Sequence, residues 1–152
     1  MSSNKNDHQV FQRNAQELIT EISGDILYLD PPYNARQYCD NYHILETIAK
    51  YDMPVIKGKT GLRLDTKDNK SDFCYKNKAT EAFEHIVRNA NFKYILLSYN
   101  DEGIIGLNDI VRIMSLYGNY TVLKKYRRFK ASSKDVDKKE TIEYLHCLIK
   151  SK

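Results

Sequence analysis

Apolar residues follow two rhythms along this chain, and the rhythms predict its elements. Ala79, Ala82, Phe83, Ile86, Val87 and Ala90 recur at helical spacing, which predicts an amphipathic helix. Leu107, Ile110, Val111 and Met114 predict a second, with Gly118 placed to cap it. Ala15, Leu18, Ile19 and Ile22 predict a third that ends at Ser23 and Gly24. Leu45, Ile48 and Ala49, preceded by Tyr42, predict a short fourth. Residues 25–29 and 94–97 are almost unbroken apolar runs, the pattern of strands buried in a parallel sheet. Residues 10–13 predict a short first strand, and residues 120–125 and 143–149 two last strands joined by a charged loop. Residues 52–74 show no clean period and predict a long loop, functional or disordered. The resulting order predicts an α/β layered domain whose last two strands form a hairpin.

Composition narrows the class without naming a chemistry. The 152 residues suit one domain, and no apolar run reaches the length of a membrane-spanning helix. Residues 1–9 are polar and read as a disordered start or linker rather than a secretory signal. Cys39, Cys74 and Cys147 lie far apart, which argues for reduced thiols in a cytoplasmic protein and against a zinc site. His8, His43, His85 and His146 show no metal-ligand spacing either. Residues 121–152 carry ten Lys or Arg against four Asp or Glu, more than the whole net charge of +4. A basic end suits a polyanionic partner, although charge runs are as often solvated faces.

The chemistry concentrates at Asp30-Pro31-Pro32-Tyr33, directly after the run at residues 25–29. Ligands of open α/β sheets bind beyond the carboxyl ends of such strands. Each proline fixes its own φ, extends the residue before it and lacks an amide hydrogen. The carbonyls of this turn are therefore free to accept hydrogen bonds from a guest. Asp30 adds a carboxylate and Tyr33 an aromatic face. Fixed acceptors with a stacking ring form a receptor for a planar amine such as the exocyclic amino group of a base.

The residues at 25–38, then Asn41-Tyr42-His43-Ile44-Leu45-Glu46-Thr47-Ile48, resemble the D12 class of adenine-N6 DNA methyltransferases. Gly58-Lys59-Thr60-Gly61, the block at 97–103 and Tyr126-Arg127-Arg128-Phe129-Lys130 resemble later blocks of that family, in order. The resemblance implies a partial Rossmann-like S-adenosylmethionine-dependent methyltransferase sheet with a C-terminal antiparallel hairpin. Residues 10–152 would form the C-terminal part of the catalytic domain. The activity implied is direct methyl transfer from S-adenosylmethionine to the N6 amino group of an adenine flipped out of double-stranded DNA, as in restriction-modification systems, with no metal. Asp30 and the Pro31 carbonyl would accept the amino hydrogens, Pro32 would shape the turn, and Tyr33 would stack on the base. Asp30 and Asn14 would serve the cofactor, while Asn14 is equally well explained as a helix cap.

DNA contacts are expected from Arg36, Tyr38 and Asn41, and from Lys57, Lys59 and Arg63 in the 52–74 loop. Lys57-Gly58-Lys59-Thr60 imitates the end of a P-loop, but Met53 stands where that pattern needs its first glycine. Lys125, Arg127 and Arg128 belong to the densest basic cluster, for which a solubilising edge is the rival reading. One feature of the family is missing. The glycines stand at 24, 58, 61, 103, 106 and 118, so the family's Phe-x-Gly-x-Gly cofactor loop is not in this chain. In the family the strand carrying that loop pairs with the strand leading to Asp30, so an exposed strand edge is expected here. The expected remedy is a complementary N-terminal polypeptide or self-association. An inactive remnant with a DNA- or protein-binding surface, and methyl transfer to an RNA or protein amine, stand as alternatives.

Overall fold

The computed structural model describes residues 7–65, 70–129 and 140–151. The polar start at residues 1–6 and the charged loop at residues 130–139 lie outside the described residues.

The centre is the apolar run at residues 94–97, extended into a ten-residue strand. The chain runs through α1 (Ala15–Leu18), β1 (Ser23–Leu29), α2 (Tyr38–Asn41), α3 (His43–Lys50), β2 (Ile56–Lys57) and β3 (Leu62–Arg63). A 3-10 turn at Asp72–Cys74, α4 (Ala79–Asn89), β4 (Asn91–Asn100), α5 (Leu107–Leu116), β5 (Gly118–Phe129) and β6 (Glu140–Lys150) follow. The main sheet has the order β1-β4-β6-β5. β1 and β4 are parallel, and β6 inserts between β4 and β5, antiparallel to both. The expected terminal hairpin is thus present, and the sheet is mixed.

Alternation along β4 divides its residues between two very different environments. Ile95, Leu97 and Tyr99 point to one face and are fully buried against Phe83, Ile86 and Val87 of α4 and Ile110, Ile113 and Met114 of α5. Leu148 of β6, opposite Ile95, completes this core. The opposite face carries Tyr94 and Leu96 with their neighbours Ile26, Tyr28 and Ile149. Ile26 and Tyr28 are 60% and 58% exposed, and Ile149 is 41% exposed. One side of the sheet is sealed; the other is covered only in part, with Cys147 buried and Ile26 and Tyr28 exposed. β1 also pairs with β4 alone, so its outer edge is open.

Several expectations change in the structure. The run at residues 25–29 is a parallel strand, but an edge strand with much of its surface exposed rather than a buried one. Residues 10–13 form no strand: β1 already ends the sheet, and Val10 is 96% exposed with no ladder to join. Gly118 does not cap α5, whose C-cap is Tyr117; it opens β5 where a Cβ would meet the Ile149 carbonyl oxygen at 2.2 Å. The 52–74 loop contains the β2–β3 hairpin, turned at Gly58 and Gly61 with φ of 76° and 66°. Glycine adopts that left-handed backbone without a steric penalty.

Candidate active site

The turn at residues 30–33 leaves the carboxyl end of β1 beside the carboxyl end of β4. The Tyr33 hydroxyl donates to Asp30 Oδ1 at 2.8 Å and lies 3.0 Å from Ser98 Oγ on β4. The Tyr33 carbonyl accepts from the Ile104 amide at 3.0 Å. Its ring meets Tyr99 edge-on, with centroids 5.0 Å apart. Tyr99 is itself buried and its hydroxyl accepts from the Ile105 amide at 3.2 Å. Residues 101–106 can close over that ring because residue 103 is glycine: a Cβ there would stand 2.1 Å from a Tyr99 ring carbon. The acid turn is therefore locked onto β4 through its side chain and onto the loop that follows β4 through its backbone.

The electrostatics keep the phenol of this turn protonated. Burial, the largest effect, pushes the Tyr33 phenol well above its ordinary value; the Ser98 hydrogen bond opposes it, and the hydrogen bond and charge of Asp30 add to it. Tyr33 thus stays a donor. The Asp30 residue is exposed, and only its Oδ1 accepts from a described residue.

Two hollows flank this turn. One, of about 220 Å³, is lined by Ala15, Leu29, Asp30, Pro31, Phe73 and Phe83 among others and is mainly apolar. The other, of about 110 Å³, is lined by Pro32, Tyr33, Asn34, Arg36, Tyr38 and Asn41. Sequence reasoning selected five of those six; Asn34, whose side chain accepts from the Arg36 amide at 2.9 Å, it missed. Tyr38 and Tyr42 stack 15° from parallel at the exposed start of the helical segment. Burial and the charge of Asp30 raise the Tyr38 phenol. Cys74 donates to the Gln37 side-chain oxygen at 3.1 Å, tying the loop between these hollows to the 3-10 turn.

The apolar hollow with a carboxylate at its rim suits a ligand that joins a flat ring to a positive centre. Asn14 sits nearby but caps α1, its side chain accepting from the Gln16 amide at 2.8 Å, so the capping explanation holds for that oxygen. Asn14 also lines a more polar hollow of about 680 Å³ with Arg13, Lys70 and Asp72.

The expected DNA contacts separate into groups. Arg36, Tyr38 and Asn41 gather at the small hollow, and Lys57 joins Arg36 and Asn41 around an adjoining cleft of about 610 Å³. Lys59 stands in the hairpin turn. Arg63 corrects its expectation as a phosphate contact: its side chain is 1% exposed and clasped by two carboxylates. It bonds both Asp52 oxygens at 2.6 Å, both Asp65 oxygens at 3.0 and 2.7 Å, and the Thr47 hydroxyl at 3.2 Å. These bonds raise the guanidinium further above its ordinary value and hold Asp65 at about 2. Lys125 and Arg127 lie on β5, three strands from Asp30, with Lys125 over the Tyr144 ring and Arg127 paired with Glu140 at 3.3 Å. The side chain of Arg128 lies outside the described residues.

A family model for the D12 class N6 adenine-specific DNA methyltransferases matches residues 1–113. The chain is 48% identical over 148 residues to the type II methyltransferase M.NlaIII of Neisseria lactamica, covering 95% of the chain and 43% of that protein. It is 42% identical over 149 residues to the type II methyltransferase M.FokI of Planomicrobium okeanokoites, covering 95% and 23%. It is 39% identical over 151 residues to the modification methylase StsI of Streptococcus sanguinis, covering 98% and 23%. The chain spans less than half the length of each of these relatives. No solved structure matches it. Among the described residues, no group of His, Cys, Asp and Glu could hold a metal ion, and no helix is long and apolar enough to cross a membrane.

Proposed function

Because the chain belongs to the D12 class of N6 adenine-specific DNA methyltransferases, we propose that it supplies the amine-binding and methyl-transfer residues of a site-specific adenine methyltransferase acting on double-stranded DNA. The observation that carries this reading is the Asp30 carboxylate, oriented by Tyr33 at 2.8 Å and lining the apolar hollow, in a turn whose Pro32 and Tyr33 line the smaller one. An adenine flipped from the duplex enters the smaller hollow, at a cost of a few kcal/mol for unstacking. Asp30 Oδ2 and the Pro31 carbonyl accept its two amino hydrogens. That withdraws the nitrogen lone pair from ring conjugation. The Tyr33 ring lines the base site, and its hydroxyl keeps Asp30 aimed. Positive charge grows on the amino nitrogen during transfer, and the fixed carboxylate stabilises it at no reorganisation cost.

S-adenosylmethionine supplies an activated methyl group when bound. Ala15, Pro31 and Phe73 would hold its adenine ring and Asp30 would face its sulfonium charge, while Asn14 lines the polar hollow next to Ala15. This chain has no Gly-x-Gly backbone to serve the amino-acid end. We assign that task to residues outside 1–152, on the same or another polypeptide, whose strand pairs with the open edge of β1 and whose helices cover Ile26, Tyr28 and Ile149. Tyr38 and Asn41 contact the DNA beside the target, and Lys125 and Arg127 extend the basic surface on β5.

The test mixes this chain with the upstream portion of a relative carrying Phe-x-Gly-x-Gly. Labelled methyl transfer to DNA is then measured. Transfer should appear only in the mixture, and Asp30→Ala should lower it by about 10²-fold or more. An inert mixture that nonetheless forms a stable complex would favour the remnant reading, and full activity of Asp30→Ala would end the assignment.

A further inference from the structure

The β2–β3 hairpin is too small to have a core of its own, yet it is fixed with unusual care. Two attachments hold it. Arg63 is buried beneath it and bonded to Asp52, Asp65 and Thr47. His43, at the start of α3, places its Nε2 2.6 Å from the Thr60 carbonyl oxygen in the hairpin turn and its Nδ1 3.2 Å from the Asp40 carbonyl oxygen. Among the described residues its apolar side chains are no buried anchor: Val55 and Ile56 are 72% and 60% exposed, and Leu62 and Leu64 are 40% and 39% exposed. The consequence is a cleft of about 610 Å³ between the hairpin and the α2–α3 junction, sharing Arg36 and Asn41 with the base hollow. Lys57 stands on its hairpin side. Two cations, Arg36 and Lys57, face one carboxylate, Asp40, while Arg63 is already neutralised by its own acids.

A nucleotide whose base occupies the smaller hollow must lead its sugar and phosphate out of it. The adjoining cleft begins at the two residues the hollows share. We propose that the β2–β3 hairpin is a phosphate clamp, in which Lys57 and Arg36 grip the backbone of the extrahelical nucleotide and Arg63 and His43 are the residues that position the hairpin. This rests on reading the smaller hollow as the site of a flipped adenine. It also explains why a sequence that imitates a P-loop without its first glycine still belongs beside a phosphate. The ligand is a phosphodiester held by side chains from two sides, rather than a nucleotide polyphosphate cradled by backbone amides.

Two labelled duplexes test it by fluorescence anisotropy over a range of salt concentrations. One is fully paired; the other places the target adenine opposite an abasic site, which lowers the cost of extrusion. The intact chain should bind the second duplex more tightly. Lys57→Ala and Arg36→Ala should each weaken binding to it more than binding to the paired duplex. Each should also lower the slope of log affinity against log salt by about one. Lys93→Ala, at the far end of β4, should leave the preference between duplexes unchanged. In an Arg63→Gln background, Lys57→Ala should have little further effect, since a hairpin set loose no longer presents that lysine. If Arg63→Gln unfolds the chain, His43→Gln loosens the other attachment and serves the same comparison. Equal losses on both duplexes, or full additivity of Lys57→Ala with either loosening variant, would overturn the clamp. Binding is read here without a methyl donor, so such a result leaves the transfer proposal standing. An inactive complemented assembly with the duplex preference intact would do the reverse.

Discussion

The layer formed by β4, β6, α4 and α5 and the segment at residues 38–65 keep their shapes by opposite means. In the first, Ile95, Leu97, Phe83, Ile113 and Leu148 are removed from water entirely, and hydrophobic burial holds helices to strands. In the second, no residue of α2 or α3 is buried, and Ile44, Leu45 and Ile48 are each more than 60% exposed. What fixes that segment is polar: one guanidinium, two carboxylates and an imidazole between carbonyls. Apolar periodicity therefore marks helices in both regions but predicts burial only in the first. A layer sealed by burial is a scaffold. A segment held by directed bonds, with its apolar residues outward, is built to meet something else.

The largest effect should come from the scaffold. Leu97 is wholly buried on the sealed face of β4. Leu97→Ala removes its contacts and leaves a cavity, which should lower stability by about 2–5 kcal/mol in thermal or urea denaturation. A change under about 1 kcal/mol would mean that this layer is far looser than its packing implies.

His146 gives the next effect and separates the regions by pH. It lies in the scaffold on β6, wholly buried between the rings of Tyr120 and Tyr144, with Nδ1 2.8 Å from the Tyr120 hydroxyl. Its Nε2 has no hydrogen-bond partner among the described residues. Burial lowers the imidazole from 6.5 to about 4. Between those values the unfolded chain binds the proton that the folded chain refuses. Stability is therefore complete above the unfolded value and falls as pH drops towards about 4, by up to about 3 kcal/mol. Melting His146→Gln and the parent chain at about pH 7 and about pH 4.5 checks this. The variant should lose part of the acid sensitivity, and an identical acid shift in both chains would remove His146 as its source.

These contrasts also explain how much was legible beforehand. Helix α4 and strand β4 were plain in the sequence because one apolar stripe meets one apolar run, and the structure buries both. The turn at residues 30–33 was legible because two prolines and an acid after a strand constrain the backbone wherever they occur. Ser98 as a partner of Tyr33 was not, since it depends on the register Leu29↔Leu97 between parallel strands, which no local pattern encodes. The hairpin was missed because strands of two residues have no periodicity; Gly58 and Gly61, three apart, were its only local signal. Arg63 was misread for a related reason. A charged residue in a charged loop looks solvated until Asp52 and Asp65, eleven residues before it and two after, close on it.

At the junction of scaffold and site, Tyr33→Phe keeps the ring against Tyr99 but removes the hydroxyl that joins Asp30 to Ser98. A stability loss of about 0.5–1.5 kcal/mol is expected from those hydrogen bonds. Denaturation of the variant should show it, and a loss as large as that of Leu97→Ala would move Tyr33 from the site into the scaffold.

The smallest effect belongs to α3. Ile48 is an apolar residue at helical spacing, as Ile86 of α4 is, yet Ile48 is 65% exposed and Ile86 is 2% exposed. Ile48→Lys should shift the stability of the isolated chain by no more than about 0.5 kcal/mol, because nothing apolar is withdrawn from contact. If this face instead folded back onto the partly covered side of the sheet in solution, the lysine would be driven against Ile26 and Tyr28. The loss would then approach that of a core position. Denaturation of Ile48→Lys beside Leu97→Ala therefore measures the contrast between the two regions directly, and equal losses would dissolve it.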